Sequence, residues 1–518
     1  MNQPTDNRMP PGIPFIIANE FAERFCYYGI NAILAIYMVR FLQFGEGQAT
    51  EWQSLFKSGA YFFPLLGAIV SDVFLGKFRT IIGFSLVYCA GCAALALVPG
   101  ETGLALGLAL IAIGTGGIKP CVSTNVGDQF TNRNEHLIER AFSWFYMSVN
   151  AGSVISILLC PWLLEEGGPR WAFGVPGAAM FVATLVFWMG RHRFAVVPPA
   201  GRAWLREVTS AEGLQLFARL AVIYVFVAVF WSLWDQSNGT TWTLQAQSGL
   251  MDKHLGFGIV LLPAQIQFVN ALFILLLVPT FSYVIYPLMG RFFTVTPLRK
   301  IGIGFFVAAT SFVVIAWIEQ RIQQGIVTSL WWQILAYGIL TASEVMVSIT
   351  ALEFSYRQAP LRIKSFVMAL YLLSISAGNL LTAVVADAVM RPVPGAFVEA
   401  GAQATLVLPA GHGFVAGQKI DFGGSTGITV MRSDGTEAPL AGTYVVGELV
   451  GDRAPLLDVV NRKPLAVSGQ FHAGAEVATY RLVGPQFFLF FAGIMTVAGI
   501  GWVFVAMRYR EKTYVRED

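Results

Sequence analysis

Apolar residues in this chain gather into long unbroken runs rather than the narrow stripes of half-buried elements. Twelve runs stand out: 14–40, 53–76, 79–99, 103–125, 141–164, 171–190, 214–243, 258–289, 298–318, 329–356, 361–389 and 484–508. About 20 such residues of helix cross a bilayer core, and the longer runs predict tilted or protruding helices. From 392 to 482 the pattern changes to Gly, Asp, Val and Thr. Short β-like runs appear there (ATLVLPA, QKIDF, GITVM, TYVVGELV, PLAVSGQFH), separated by turn signals at Gly423-Gly424 and Ser433-Asp434-Gly435-Thr436. The predicted fold is therefore an all-α polytopic membrane protein with twelve transmembrane helices in two six-helix bundles. A small β-rich domain is inserted between helices 11 and 12. A structural or protective appendage is the plain reading of that domain, and a substrate-presenting module the sharper one.

Orientation follows from the cations. With the N-terminus in the cytoplasm, one side collects Arg8, Lys77, Arg79, Arg133, Arg140, Arg191, Arg193, Arg202 and Arg206. It continues with Arg291, Arg299, Lys300, Arg357, Arg362, Lys364, Arg508, Arg510, Lys512 and Arg516. The opposite loops hold Arg170, Lys253 and Arg321. This asymmetry puts both termini in the cytoplasm. The expected organisation is a first bundle over 1–190, a cytoplasmic linker over 191–213, and helices 7–11 over 214–391. An extracytoplasmic β-rich insertion covers 392–482, and helix 12 with a cytoplasmic tail covers 483–518. Two bundles rocking about a central site are a common transporter plan.

Composition agrees. Hydrophobic residues make up 55% of the 518 and charged residues 13%, against roughly 25% charged in soluble domains. A net charge of +3 gives no sign of nucleic-acid binding. The five cysteines lie inside apolar runs without metal-ligand spacing, which predicts packing roles. The first run is too long and too charged for a cleavable signal. The five histidines fall in loops, near span ends or in the β region, which leaves central proton handling to carboxylates. The chain carries no phosphate-binding glycine loop and no paired Cys or His ligands. No enzyme, cofactor, metal site or ATP-driven pump is expected, and a proton gradient is the natural driving force.

Charges inside the apolar runs are the most informative residues, because each costs roughly 2.5–3.5 kcal/mol near a bilayer centre. Glu20, Glu23 and Arg24 fall at i, i+3 and i+4, on one helix face, and Tyr27 and Tyr28 continue it. Two carboxylates sharing one guanidinium are not both compensated, so one is poised to exchange a proton. Lys119 sits in the fourth run within Gly114-Thr115-Gly116-Gly117-Ile118-Lys119-Pro120, a sequence suited to a bent helix opening on a cavity. Asp235 and Glu344 occupy the seventh and tenth runs, in the other bundle. Carboxylates facing cations across the bundle interface would form salt bridges that break as the bundles rock.

Several segments resemble a known family. Gly67-Ala68-Ile69-Val70-Ser71-Asp72 with Gly76-Lys77-Phe78-Arg79 is similar to the loop signature of the major facilitator superfamily. Glu20-x-x-Glu23-Arg24-Phe25-x-Tyr27-Tyr28 resembles the hallmark of its proton-dependent oligopeptide transporter branch. So do Gly116-Gly117-Ile118-Lys119-Pro120, Gly127-Asp128-Gln129-Phe130, the 145–152 segment, Phe230-Trp231 with Asp235-Gln236, the 352–360 segment with Glu344, and Ala377-Gly378-Asn379. The resemblance spans the chain apart from the β insertion. It implies proton-coupled uptake of di- and tripeptides by alternating access across a bacterial inner membrane, with bilayer, peptide and protons as partners and a monomer as the working unit. It assigns proton coupling to Glu20, Glu23, Arg24, Lys119, Asp235 and Glu344. Tyr28, Tyr61, Asn150 and Asn270 match polar positions lining the site, and Glu344 receives the peptide amino terminus.

Departures from the family pattern lie at two further substrate-binding positions, Asn31 and Tyr371. Asn31 stands where peptide-binding members carry an arginine that clamps the substrate carboxylate and faces the seventh-span acid. Either the amide serves, or Arg24 or Lys119 takes the load. Tyr371 stands where a tryptophan is common. Two other readings stay open at this stage: a proton-coupled carrier of another small solute, such as nitrate or a modified metabolite, and a peptide-sensing membrane receptor.

Overall fold

The computed structural model describes residues 8–509 except 132, 135–136, 196–197, 200–209, 257, 359–363, 402, 425, 432–436 and 473–474. The expected positive residues Arg202, Arg206, Arg362, Arg510, Lys512 and Arg516, and the turn at Ser433-Asp434-Gly435-Thr436, lie outside the described residues. The first half contains α1 (Ile13–Arg40), α2 (Glu46–Ile69, prolonged by a π-turn, Val70–Leu75) and α3 (Lys77–Leu97). It continues with α4 (Gly100–Asp128), α5 (Ile138–Gly167) and α6 (Pro169–Met189). The second half contains α7 (Ala211–Ser237), α8 (Pro263–Met289) and α9 (Pro297–Gln323). Then come α10 (Trp331–Glu344, prolonged by a π-turn and Thr350–Gln358), α11 (Lys364–Ala388) and α12 (Pro485–Arg508). Eleven of these are long and apolar enough to cross a membrane. The other is α1, set apart by its mid-helix charges and buried along most of its length.

Each half has its own apolar core, one built on residues such as Ile33, Tyr88 and Phe173, the other on Phe230, Phe305, Phe312 and Trp502. Within the first, α1 packs on α2, α4, α5 and α6; within the second, α7 packs on α11 and α9 on α10 and α12. The halves meet chiefly where α2 lies along α11. Glycines allow the close crossings, as expected where packing rather than hydrophobicity drives association. A Cβ on Gly67 would lie 2.4 Å from the Gly116 carbonyl, on Gly152 2.6 Å from that of Phe21, and on Gly378 2.5 Å from that of Ala228.

Three expected boundaries change. α2 starts at Glu46 rather than at 53, so its charged residues lie deeper than the sequence suggested. α7 does not run unbroken to 243: it stops at Ser237 and a separate short helix spans Thr241–Gln247. Gly239, at φ 91°, makes the break, because a left-handed backbone is open to glycine and strained for other residues. α8 starts at Pro263, since 258–260 belongs to a small hairpin pairing His254–Gly256 with Ile259–Val260.

Between α11 and α12 the described residues form ten strands: β1 (Met390–Pro392), β2 (Phe397–Glu399), β3 (Thr405–Val407), β4 (Lys419–Gly423) and β5 (Ile428–Met431). β6 (Glu437–Pro439), β7 (Gly442–Val446), β8 (Arg453–Leu457), β9 (Val467–Gly469) and β10 (Glu476–Tyr480) complete the set. A seven-stranded sheet has the order β1-β10-β4-β7-β8-β3-β2, and a three-stranded sheet the order β6-β5-β9. All pairs are antiparallel, so alternate residues such as Ile420, Phe422, Leu406 and Leu456 turn into one core.

Asp421, on β4, is 4% exposed, and Tyr480 donates to its Oδ2. Burial of the charge pushes this carboxyl from 3.8 up to about 6. The native state therefore binds the proton more tightly than the unfolded chain. That stability is complete below about pH 4 and is lost as pH rises through about 6. Asp421→Asn should raise the melting temperature at pH 8 and leave it nearly unchanged at pH 4, as read by thermal unfolding of the purified protein. An equal effect at both pH values would contradict this origin of the shift.

Candidate functional site

Three polar groupings in the apolar interior, among the described residues, hold the candidate site residues. The first is on α1. One helical turn brings Glu20, Glu23 and Arg24 together, all at most 5% exposed. Arg24 Nε lies 3.2 Å from Glu20 Oε1, and its Nη2 pairs with Glu23 Oε2. The Thr115 hydroxyl of α4 donates to the other Glu23 oxygen. Lys119, one turn further along α4, holds its ammonium 3.7 Å above the ring centre of Tyr61 on α2 and 6.0 Å from that of Tyr27. The arrangement thus gathers two carboxylates, two cations and aromatic faces that favour cations. Tyr28 meets Tyr27 edge to face, with ring centres 5.5 Å apart.

The second grouping belongs to the other half. Asn270 on α8 donates to Glu344 Oε2 on α10 at 2.8 Å and to the Thr341 hydroxyl at 3.0 Å. Among the described residues, no cation forms an ion pair with Glu344, and its carboxylate is met by neutral donors, the Asn270 amide and the Trp234 indole. Tyr371 on α11 sits 3.2 Å from the Ser348 hydroxyl and meets Trp231 edge to face, with ring centres 6.4 Å apart. Asn150 lies outside this grouping, half-buried on α5 of the first half, where its carbonyl accepts the Ser153 hydroxyl at 2.9 Å.

The third grouping joins the halves. Asp235 near the end of α7 pairs not with Arg24 or Lys119 but with Lys57 of α2, both essentially inaccessible. Lys57 Nζ also donates to the carbonyls of Asp235 at 3.1 Å and Asn238 at 2.9 Å, so its three N–H groups are all used. Those carbonyls belong to the end of α7, where the helix dipole favours a cation. Ser54 donates to the remaining Asp235 oxygen at 2.6 Å. Asn31 joins the same knot: its amide donates to the Asn238 carbonyl at 3.0 Å, and Gln53 donates to the Asn31 carbonyl at 2.8 Å. A Cβ on Gly239 would lie 2.7 Å from the Asn31 carbonyl, so the break in α7 is what lets the helices close here.

Sequence reasoning missed Lys57. A second span begun at 53 puts this lysine near its end; with α2 starting at Glu46, it lies about three turns inside. The signal was a lysine in an apolar run, two residues after Leu55, and the Asn238-Gly239 pair that breaks α7. Asp235 thus pairs with a cation of the other half, while Glu344 stays with Asn270.

The model of the POT family matches residues 78–211 and 201–397, more than half of the chain. The chain belongs to the POT family. Its motifs meet in space: Lys77 of the first signature pairs with Asp128 of the Gly127-Asp128 segment. Human solute carrier family 15 member 2 is 38% identical over 365 residues, covering 61% of this chain and 50% of that protein. The chain thus spans about half the length of the curated relatives it matches. The crystal structure of the POT family transporter PepTSo superposes with a TM-score of 0.68 at 34% identity, over 74% of this chain and 90% of that one. A crystal structure of an auto inhibited POT family peptide transporter matches with a TM-score of 0.73 at 28% identity, over 98% of this chain and 99% of that one. The second match is long enough to include the β domain, of which the family model reaches only the start.

Removing one partner of a buried pair leaves an uncompensated charge and costs about 3–5 kcal/mol, whereas an apolar replacement of both is close to neutral. Lys57→Ala should therefore lower the melting temperature of the purified protein far more than the double change Lys57→Met with Asp235→Leu. Additive losses would show that the pair is not coupled.

Proposed function

We propose that this chain is a proton-coupled symporter that takes up di- and tripeptides by alternating access. It would work as a monomer in the cell (inner) membrane, with both termini in the cytoplasm and the β domain outside. The distribution of Lys and Arg supports this orientation. The observation that carries the coupling is the pairing of Glu20 and Glu23 with a single guanidinium, Arg24. A proton on either carboxylate leaves one neutral acid and one intact ion pair, a state that a buried site tolerates better than two anions on one cation. Lys119 stands near this cluster, its ammonium over the Tyr61 ring. A substrate carboxylate arriving at Lys119 and a substrate amine at Glu344 would be held at two ends, with Tyr28, Tyr61, Asn150, Asn270 and Tyr371 lining the space between.

Lys57 supports a particular solution to the absent arginine at 31. It supplies the cation facing Asp235, but all its donors are used there. The carboxylate clamp therefore falls to Lys119 and Arg24, while Asn31 holds the break in α7. Protonating Asp235 would remove the charge that holds Lys57, and the lock between the halves would loosen. A carrier of a small anion such as nitrate is the second reading, favoured by Asn31, because a site without the clamp arginine is less committed to peptides.

Uptake of labelled dialanine into proteoliposomes under an imposed inward proton gradient tests the proposal. Glu23→Gln and Lys119→Ala should each reduce gradient-driven uptake at least 10-fold, and excess unlabelled dipeptide should compete where nitrate and free amino acids do not. Gradient-driven uptake that survives Glu23→Gln would sink the coupling role, and competition by nitrate alone would favour the second reading.

A further inference from the structure

The β domain is joined to the second half at both ends, to α11 through Met390 and to α12 through Gly484. Gly417 and Gly484 sit against Gln323 at the end of α9, where an added Cβ would lie 2.3 and 2.5 Å away. The domain must therefore move with the second half. Its central strands nevertheless grip the first half, at the beginning of α2. No side chain of α2's own N-cap residue, Gly45, caps the helix, so the first N–H groups need partners from elsewhere. Thr443 on β7 accepts the Glu46 N–H at 2.8 Å, and the Tyr480 hydroxyl on β10 accepts the Gly47 N–H at 3.0 Å. Tyr480 in turn donates to Asp421 on β4 at 2.5 Å. Lys419, also on β4, lies 2.6 Å from Glu46 of α2 and 3.9 Å from Glu319 of α9, so one ammonium stands between carboxylates of the two halves.

The sheet aligns this grip. β10, β4 and β7 are neighbours, and Thr443 is the register partner of Asp421. Gly45 completes the fit, because a Cβ there would lie 2.4 Å from Asp421 Oδ2. Helix capping in soluble proteins comes from the adjoining residues; here two strands that begin and end about 400 residues away perform it.

We propose that the β domain is a latch: by capping α2 from the opposite half it holds the molecule shut on its own side, and it must release α2 for that side to open. The proposal rests on the transport reading only in that such opening is a step of alternating access.

The test uses the full-length chain carrying Gly45→Cys and Asp421→Cys. The Gly45 Cβ position is 2.8 Å from Asp421 Cγ, which places the two Cβ atoms within disulfide reach. Gly45 has φ −63°, a value open to cysteine. Oxidation should cut proton-driven dialanine uptake at least 10-fold, and reduction should restore it to the level before oxidation. Fully cross-linked protein that transports within 2-fold of the reduced form would overturn the latch. Hydrogen exchange of residues 53–61 and 231–240, which flank the Lys57–Asp235 lock, gives a readout that needs no substrate. Exchange there should slow on oxidation, and Thr443→Val or Tyr480→Phe should accelerate it along with the amides of Glu46 and Gly47. Unchanged exchange in all of these overturns the latch, whereas slowed exchange without dialanine uptake in the reduced form refutes the peptide reading alone.

Discussion

A guanidinium buried in a membrane protein has no water to fall back on, and most of the architecture around α1 follows from that. Arg24 is compensated by two carboxylates on its own helix, so the cluster stays together whichever neighbours approach. Keeping it away from lipid requires α1 to be wrapped, and α2, α4, α5 and α6 surround it. The wrapping is tight because Gly152 of α5 packs directly on the α1 backbone. Thr115 and Lys119 reach the cluster from α4, whose own glycines, Gly116 and Gly117, let α2 and α3 come close. The polar site and the small-residue packing are thus one requirement seen from two sides. A charge triad this deep needs helices that approach to backbone contact, and only glycine permits that.

The same accounting explains the lock between the halves. A cation opposite Asp235 is required because an unpaired carboxylate there would be prohibitively costly. This chain meets the requirement from α2 rather than from α1. Asn31 keeps its place in the knot as a hydrogen-bonding spacer, tied to Asn238 and Gln53. Moving the charge one helix over changes what it does. A lysine wedged against two carbonyls and a carboxylate is occupied on every N–H, and it serves closure alone.

The helical plan was legible because lipid demands long apolar runs, and a run is visible without knowing its neighbours. The Glu20, Glu23 and Arg24 grouping was legible for a local reason, since three residues on one helical turn are adjacent in any fold. Five of the ten strands could be read from alternation and turn signals. The missed ones, β1, β2, β6, β8 and β10, are short or carry Pro, Arg or Glu, and they are specified by pairing rather than by their own pattern. Lys57 was hidden by an error of seven residues in where α2 begins, and the polar stretch after Glu46 caused that error. The grip of the domain on α2 had no local signature, because its partners lie 373 to 433 residues apart.

Glu46 and Lys57 stand about three turns apart on the same helix, and that spacing links the two closures. α2 is held at its first turn by the β domain and at its fourth by α7, so neither contact opens freely while the other persists. Rotating the halves apart about a point deeper in the membrane displaces the far end of α2 most. The shallow contact, which is partly solvated, therefore yields before the buried one. Its groups regain water as they part, which lowers the cost of letting go. The buried pair has no such recourse and needs a change of charge instead. Closure on this side is then a series of two contacts of different character, one sensitive to the surface and one to protonation, carried by a single helix.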